Sequence, residues 1–358
     1  MNRQIWRATR LIGLLGGLGV APLAGQSPPP TSVSSYAVPE TPALTFLEAE
    51  PTEIARPTSV RALVTELANG IAGSGQVEQG FGLAIAPWSL IPSLRIPLSS
   101  YQNNAGSYLL ANTQLSFGTV RSPGDSGATD MALGLRMTLW DNADPMRDTA
   151  FTAQLRRALV RCLQDVQEPP EDEEAMKRLQ EECRKHTDAV KKVYRERIER
   201  RGAWNRSSFA VAAAYGLRLD ESSFDQAREL GWSVWAHGAF PLGAKTQLLG
   251  QLRYLERQED PDGPERRAIV YGGKLFHGSA GLNFFAEIAG EHVTDPDPSL
   301  ARNATRWAVG LEFKAAEDLW LSTGFGSDAT TAQPEGRALV LAGLRWDVLP
   351  GPQRFSRW

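Results

Sequence analysis

The sequence predicts an all-β fold, a transmembrane antiparallel β-barrel of ten or twelve strands with an inserted α-helical hairpin, and three observations carry that expectation. Segments of about 10 to 14 residues recur between positions 104 and 348 with apolar and polar side chains in alternation. They are longer than the 5 or 6 residues usual in soluble sheets and suit tilted membrane strands. One parity of these segments is greasy and the other is charged or small, as lipid and a narrow watery lumen would require. Between residues 142 and 203 the apolar period becomes helical.

The chain opens Met1-Asn2-Arg3-Gln4-Ile5-Trp6-Arg7-Ala8-Thr9-Arg10, with three arginines and no acid, followed by the uncharged run Leu11 to Val20. This is the charged start and short apolar centre of a secretory signal, about half the length that a spanning helix needs. Residues 1–25 are expected to be cleaved off. Ala21 to Ala24 supply small residues for the cut, and Gln26 stands where a lipoprotein would need Cys. The mean hydropathy of −0.29 suits strands that face lipid and lumen alternately. A net charge of −3 provides no basic domain for phosphates, which argues against nucleic acid as a partner.

Residues 26–78 read as a periplasmic linker with one short helix that plugs or covers the barrel. Gln26 to Glu53 is rich in Pro and Ser, with Pro28-Pro29-Pro30 at its head, and predicts extended chain. Pro57 to Gly70 predicts the helix, with Ser59 as cap and Val60, Leu63, Val64 and Leu67 as its stripe.

Residues 79–141 hold the first barrel strands and 204–348 the rest. In Arg306 to Lys314, Trp307, Val309, Leu311 and Phe313 take one parity and Arg306, Ala308, Gly310, Glu312 and Lys314 the other. Phe209 to Arg218 and Leu282 to Glu291 repeat the pattern, and comparable segments lie at 104–119, 128–141, 229–240, 244–257, 266–276, 317–326 and 336–348. That makes ten. A further candidate at Gly80 to Trp88 leaves open whether it joins the plug, giving ten, or a twelfth strand completes an even set. The polar parity carries Arg136, Arg218, Arg253, Lys274, Glu287, Arg306, Glu312, Arg337 and Arg345, which either select ions in a lumen or pair with one another and close it.

Trp204, Trp232, Tyr254, Tyr271, Trp307 and Trp346 lie near strand ends or on the greasy face, and Trp358 is the last residue. With the signal and the strand pattern, these features resemble the outer-membrane β-barrels of Gram-negative bacteria, which commonly end in Phe or Trp. The Pro350-Gly351-Pro352 break, within the tail 349–358, departs from that pattern. The resemblance implies the outer membrane as location and its lipid as partner. Short connections at Leu242-Gly243, His277-Gly278 and Ala315 to Glu317 alternate with longer ones at 220–228, 258–265, 293–302 and 327–335. Such barrels turn short loops to the periplasm and long loops outward, so the 142–203 hairpin is expected to be periplasmic and available to a partner protein.

Four features have candidate chemistry. Cys162 and Cys183 lie on the apolar stripes of the hairpin, where a disulfide and two buried thiols both remain open. His277-Gly278-Ser279-Ala280-Gly281 has the order of the His-x-Ser-x-Gly segment of outer-membrane phospholipases, with His277 as base and Ser279 as nucleophile; its placement at a periplasmic turn favours a plain turn. Asp260 with Asp262 and Asp295 with Asp297 offer paired carboxylates to a divalent cation, although Asp, Pro and Gly also make ordinary tight turns. No residue pattern calls for a cofactor. The expected function is a non-enzymatic barrel acting as a small pore, as a docking platform for periplasmic partners, or as both; a barrel hydrolase and a soluble periplasmic β-protein are the alternatives.

Overall fold

A computed structural model describes residues 38–48, 81–90, 96–122, 128–164, 173–200, 205–220, 225, 227–258, 265–279, 281–294, 302–316, 319–330 and 333–346. The expected signal, the Pro57 to Gly70 helix, the tail 349–358 and the paired aspartates Asp260, Asp262, Asp295 and Asp297 lie outside these residues. The unit described is Tyr36–Trp358.

Its body is one antiparallel sheet of eleven strands in sequence order: β1 (Gly82–Ile85), β2 (Thr113–Arg121), β3 (Thr129–Asp141), β4 (Ser208–Leu219), β5 (Ala227–Gly243), β6 (Thr246–Arg257), β7 (Arg266–Gly278), β8 (Leu282–Thr294), β9 (Arg302–Ala316), β10 (Leu319–Thr330) and β11 (Gln333–Trp346). The expected count of ten or twelve is thus corrected to eleven among the described residues. The Gly80 segment supplies a real but short strand, paired over Gly82↔Gly118 to Ile85↔Leu115.

Three further expectations change. The segment 104–119 is not one strand. Asn104 accepts a hydrogen bond from Ser107 N at 2.9 Å and caps a helix over Ala105–Ala111, so the strand begins only at Thr113. The long loop expected at 327–335 shrinks to the two residues between Thr330 and Gln333. Within the Pro-rich stretch 26–53, residues 38–48 are not an extended linker: they contain helix α1 (Pro42–Phe46), whose Pro42, Ala43, Leu44 and Phe46 are all buried. Pro at a helix start needs no hydrogen-bonded N–H, so proline there nucleates rather than breaks.

Odd-numbered strands run toward one end of the sheet. That end carries the short turns after β5, β7 and β9, and also the helices that follow β1 and β3. After β1 come α2 (Pro87–Leu90), α3 (Leu98–Asn103) and α4 (Ala105–Ala111); after β3 come a 3-10 turn (Pro145–Arg147), α5 (Thr149–Gln164) and α6 (Glu173–Arg200). The helices α5 and α6 pack against each other. Their root is fixed to the sheet end by an apolar cluster of Ile96, Tyr101, Tyr108 and Met146. The Tyr101 hydroxyl donates to Asp144, Gln102 Nε2 donates to Met146 O at 2.7 Å and to Thr152 Oγ1 at 3.0 Å, and Arg147 lies 4.9 Å over the Tyr108 ring. Farther along, α6 is solvated: Arg184 donates two hydrogen bonds to Glu181, at 2.9 and 2.8 Å, and holds that carboxyl below its usual range.

Candidate functional site: the inner face of the sheet

The sheet has the polarity of a globular core turned inside out. Cross-strand register places Leu135, Ala213 and Val234 in one row, Val211, Ala236, Leu252 and Tyr271 in a second, and Leu248, Leu275, Ala286, Val309, Phe325 and Val340 in a third. Large apolar side chains in these and neighbouring outward rows are exposed, as with Leu133 at 57%, Leu252 at 52%, Phe284 at 58% and Phe325 at 61%. The opposite face carries Ala132, Ala210, Ala212, Ala214 and charged residues, and is buried. Outward positions are also buried at the far end of β2 to β4, at Thr119, Thr129, Met131 and Leu219, and at Leu83 of β1.

Over β2 to β4 the inner face is covered because α1 lies on it. Glycines on β2, β3 and β4 form the seat. A Cβ at Gly134 would stand 2.5 Å from Ala43 N, and Cβ atoms at Gly118 and Gly216 would meet the Leu44 and Phe46 side chains. The Ala43 amide donates to Ser116 Oγ at 3.1 Å. Val38, Ala43, Phe46 and Leu47 share one buried cluster with residues on strands as distant as Val293 of β8. A bulge opposite Gly216 and Leu217 lets Leu230 of β5 join that cluster, an inward turn that simple alternation does not encode.

Charged residues on this face fall into three groups. At the long-loop end, Arg218 grips Asp130 through Nε at 2.6 Å and Nη2 at 3.0 Å, and Arg257 Nη2 approaches the same carboxylate at 3.8 Å. Arg257 also lies 5.9 Å over the Phe46 ring of α1. Asp130 is on β3 and Arg257 on β6, about 14 Å apart in a flat sheet, beyond the reach of both side chains together; the sheet curls to bring them together. Toward the short-turn end, Lys274 Nζ sits 2.7 Å from Glu312 and 3.8 Å from Glu287, which Arg306 approaches at 3.6 Å. The Lys274 ammonium also lies 4.3 Å over Phe285.

Between these two paired groups lies the third. Arg136, Ala212, Trp235 and Arg253 form one register row, and His237 lies beside it on the next inner row. Arg253 is 5.3 Å over the Trp235 ring and 3.5 Å from Ser233 Oγ. The backbones of Arg337 and Arg345 pair with Asp328 and Trp320 on the same parity. The row that holds Arg136 and Arg253 continues through Val270 to Glu291 of β8, so acidic and basic residues alternate along the middle of the face as well. Sequence reading missed Asp130 and Arg257. Both were findable, since Asp130 shares parity with Arg136 and Arg257 with Arg253.

His277 and Ser279 are not brought together. His277 Nδ1 bonds Thr246 Oγ1 at 2.9 Å on the exposed face, and Ser279 Oγ accepts from Gly281 N and Leu282 N at 3.4 and 3.3 Å within the turn. Cys183 is disulfide-bonded, and the chain has one other cysteine, Cys162. No group of three or more metal-ligating side chains occurs among the described residues.

No family model matches the chain, and no curated protein matches it. Among solved structures, the outer membrane channel DcaP of Acinetobacter baumannii is similar at 9% identity and a TM-score of 0.35, over 65% of this chain and 57% of that one.

Proposed function

We propose that the chain is a non-enzymatic β-barrel of the bacterial outer membrane, with a narrow lumen occupied by α1 and a helical hairpin offered to periplasmic partners. One observation carries this reading: the inverted polarity of the sheet. An exposed apolar face across most of the strands is what lipid requires, and a soluble protein rarely tolerates a patch on that scale. Aromatic residues mark both borders of the apolar zone. Trp232 and Tyr254, with ring centroids 4.9 Å apart, stand at the long-loop end, and Phe240 and the stacked pair Trp140 and Phe209 stand at the other. Trp232 and Phe240 are about 26 Å apart along β5, the order of a lipid-facing band.

In hydrocarbon an unpaired strand edge is intolerable, so the sheet closes. With the closed lumen filled at β2 to β4 by α1, conduction is small at rest and rises when α1 leaves. The hairpin, rooted at the short-turn end, lies on the periplasmic side if the long loops face outward. Fractionation tests the location: the full chain is expected in the outer-membrane fraction, needing detergent for extraction and shifting its gel mobility on boiling. Recovery in the soluble periplasm would overturn the reading. In planar bilayers, deleting residues 38–48 is expected to raise conductance several-fold, whereas deleting 149–200 leaves conductance unchanged and removes periplasmic crosslinks.

A further inference from the structure

We infer that the root of the α5–α6 hairpin, through Arg156, Arg157 and Lys192, lies against the anionic phospholipid head groups of the leaflet at the short-turn end of the strands. This builds on the reading of the sheet as an outer-membrane barrel with that end in the periplasm.

The charge of the hairpin is sorted by distance from the sheet. Residues 149–162 and 183–200, the arms between the sheet and the two cysteines, carry ten Lys and Arg against three Asp and Glu; residues 163–182, between the cysteines, carry two against eight. Helix α5 alone has three arginines and no acid. A net charge of −3 for the whole chain does not predict such a division. The basic arms also begin close to the strands, since α5 starts eight residues after β3 ends and α6 ends eight residues before β4 starts. At 1.5 Å per residue, Arg157 lies about 12 Å along α5 from Thr149, and Lys192 about 12 Å from the end of α6 at Arg200. Long cationic side chains at that distance reach a head-group layer or lie within a Debye length of it, about 8 Å at physiological salt.

Ion pairing follows the same division. Farther from the sheet the charges of α6 neutralise one another: Arg178 lies 3.2 Å from Glu174, and Arg184 and Lys185 lie 2.8 and 4.0 Å from Glu181. Arg156, Arg157 and Lys192 are exposed and make no ion pair among the described residues. Arg147, Arg206 and Lys245, at the strand ends, are exposed in the same way and add to the positive field. Four carboxylates share this region. Asp141, Asp144 and Asp148 accept from the amides of Ala143, Met146 and Phe151 at 2.8 to 3.0 Å, and Asp188 stands one turn before Lys192. They offset the cations in part and leave an excess of positive charge. The large apolar residues that the hairpin exposes lie beside these cations: Val160, at 40%, is one turn after Arg156 and Arg157, and Val193, at 62%, follows Lys192. Exposed cations interleaved with exposed apolar side chains suit a membrane interface, where the first meet phosphate and the second the acyl boundary. The same leaflet repels Glu174 and Glu181, which turns the far part of α6 toward the periplasm.

Hydrogen exchange on the full chain in lipid nanodiscs tests this contact. One set of discs is phosphatidylcholine and the other a mixture of phosphatidylcholine and phosphatidylglycerol. Amides of 153–160 and 188–193 are expected to exchange several-fold more slowly in the anionic discs, and the difference is expected to disappear at about 1 M salt, where the screening length falls to about 3 Å. The combined variant Arg156→Gln, Arg157→Gln and Lys192→Gln is expected to exchange equally in both discs while matching the unsubstituted chain in phosphatidylcholine. Equal exchange of the unsubstituted chain in both discs, or a difference that the variant retains, overturns the lipid contact and leaves the arms to an acidic protein. Failure of the barrel reading shows separately, as a chain that stays soluble and outside the discs. Flotation then decides the lipid contact alone: it stands if the chain rises with phosphatidylglycerol vesicles and not with phosphatidylcholine vesicles, and falls otherwise.

Discussion

Asp130 is fully buried and holds two arginines. Replacing it by Asn leaves Arg218 and Arg257 in a desolvated position without their counter-charge, a loss of about 3–5 kcal/mol. Asp130→Asn should therefore lower the temperature at which the folded form converts on gels, while Arg306→Gln, whose side chain is more exposed and at the edge of its group, should change it little. Gly134 makes a different prediction. Gly134→Val drives a side chain into the Ala43 backbone and costs about 1–3 kcal/mol of α1 seating. The expected result is a folded sheet with residues 38–48 newly open to protease. At this scale the sequence was informative about parity and silent about partners. Arg218, Lys274, Glu287 and Glu312 were assigned to the polar side by period two alone, but which of them pair depends on curvature that brings β3 to β6 and β7 to β9. The α1 seat was unreadable because glycines at Gly118, Gly134 and Gly216 look in sequence like any small inward residues.

Among the elements, the long strands β3 to β9 were legible because each repeats its alternation over 12 or more residues. Short elements were not. A strand of four residues such as β1, or a helix of five such as α1, contains too few periods to separate from a linker, and tertiary burial decides both. The collar of α2 to α4 was hidden for another reason: Leu109 and Leu110 read as strand until Tyr101 and Met146 are seen packing on them. That collar makes the hairpin a rooted lever. Tyr101→Phe removes the bond to Asp144 and should cost about 2 kcal/mol, a bond to a charged acceptor. Hydrogen exchange should quicken across 145–160 while β5 to β9 keep their protection. Peptide mapping without reductant should recover Cys162 linked to Cys183, and reduction should destabilise the hairpin by about 3 kcal/mol without altering strand content.

For the whole molecule, the odd number of described strands has a topological meaning. β1 and β11 run in the same direction, so closing the sheet between them makes a parallel seam only four residues long on the β1 side. An antiparallel seam between β11 and the nine residues of β2 satisfies far more backbone groups, provided that β1 yields its place. Deleting residues 81–86 is therefore expected to leave heat-modifiable mobility intact; loss of the compact form would show that β1 is the closing strand.

The buried position of α1 also dictates an order of events. Residues 38–48 precede every described strand, yet their apolar side chains share one buried cluster with strands up to β8. A closed ring of strands offers no lateral door to a helix with Phe46 and Leu44 at its centre. If the sheet closes as proposed, the segment is in place while the ring is still open, and assembly would proceed around a template that lies ahead of the strands in the chain. A chain lacking residues 38–48 should then not merely conduct better but also fold more slowly, and supplying the missing peptide after folding should restore neither property.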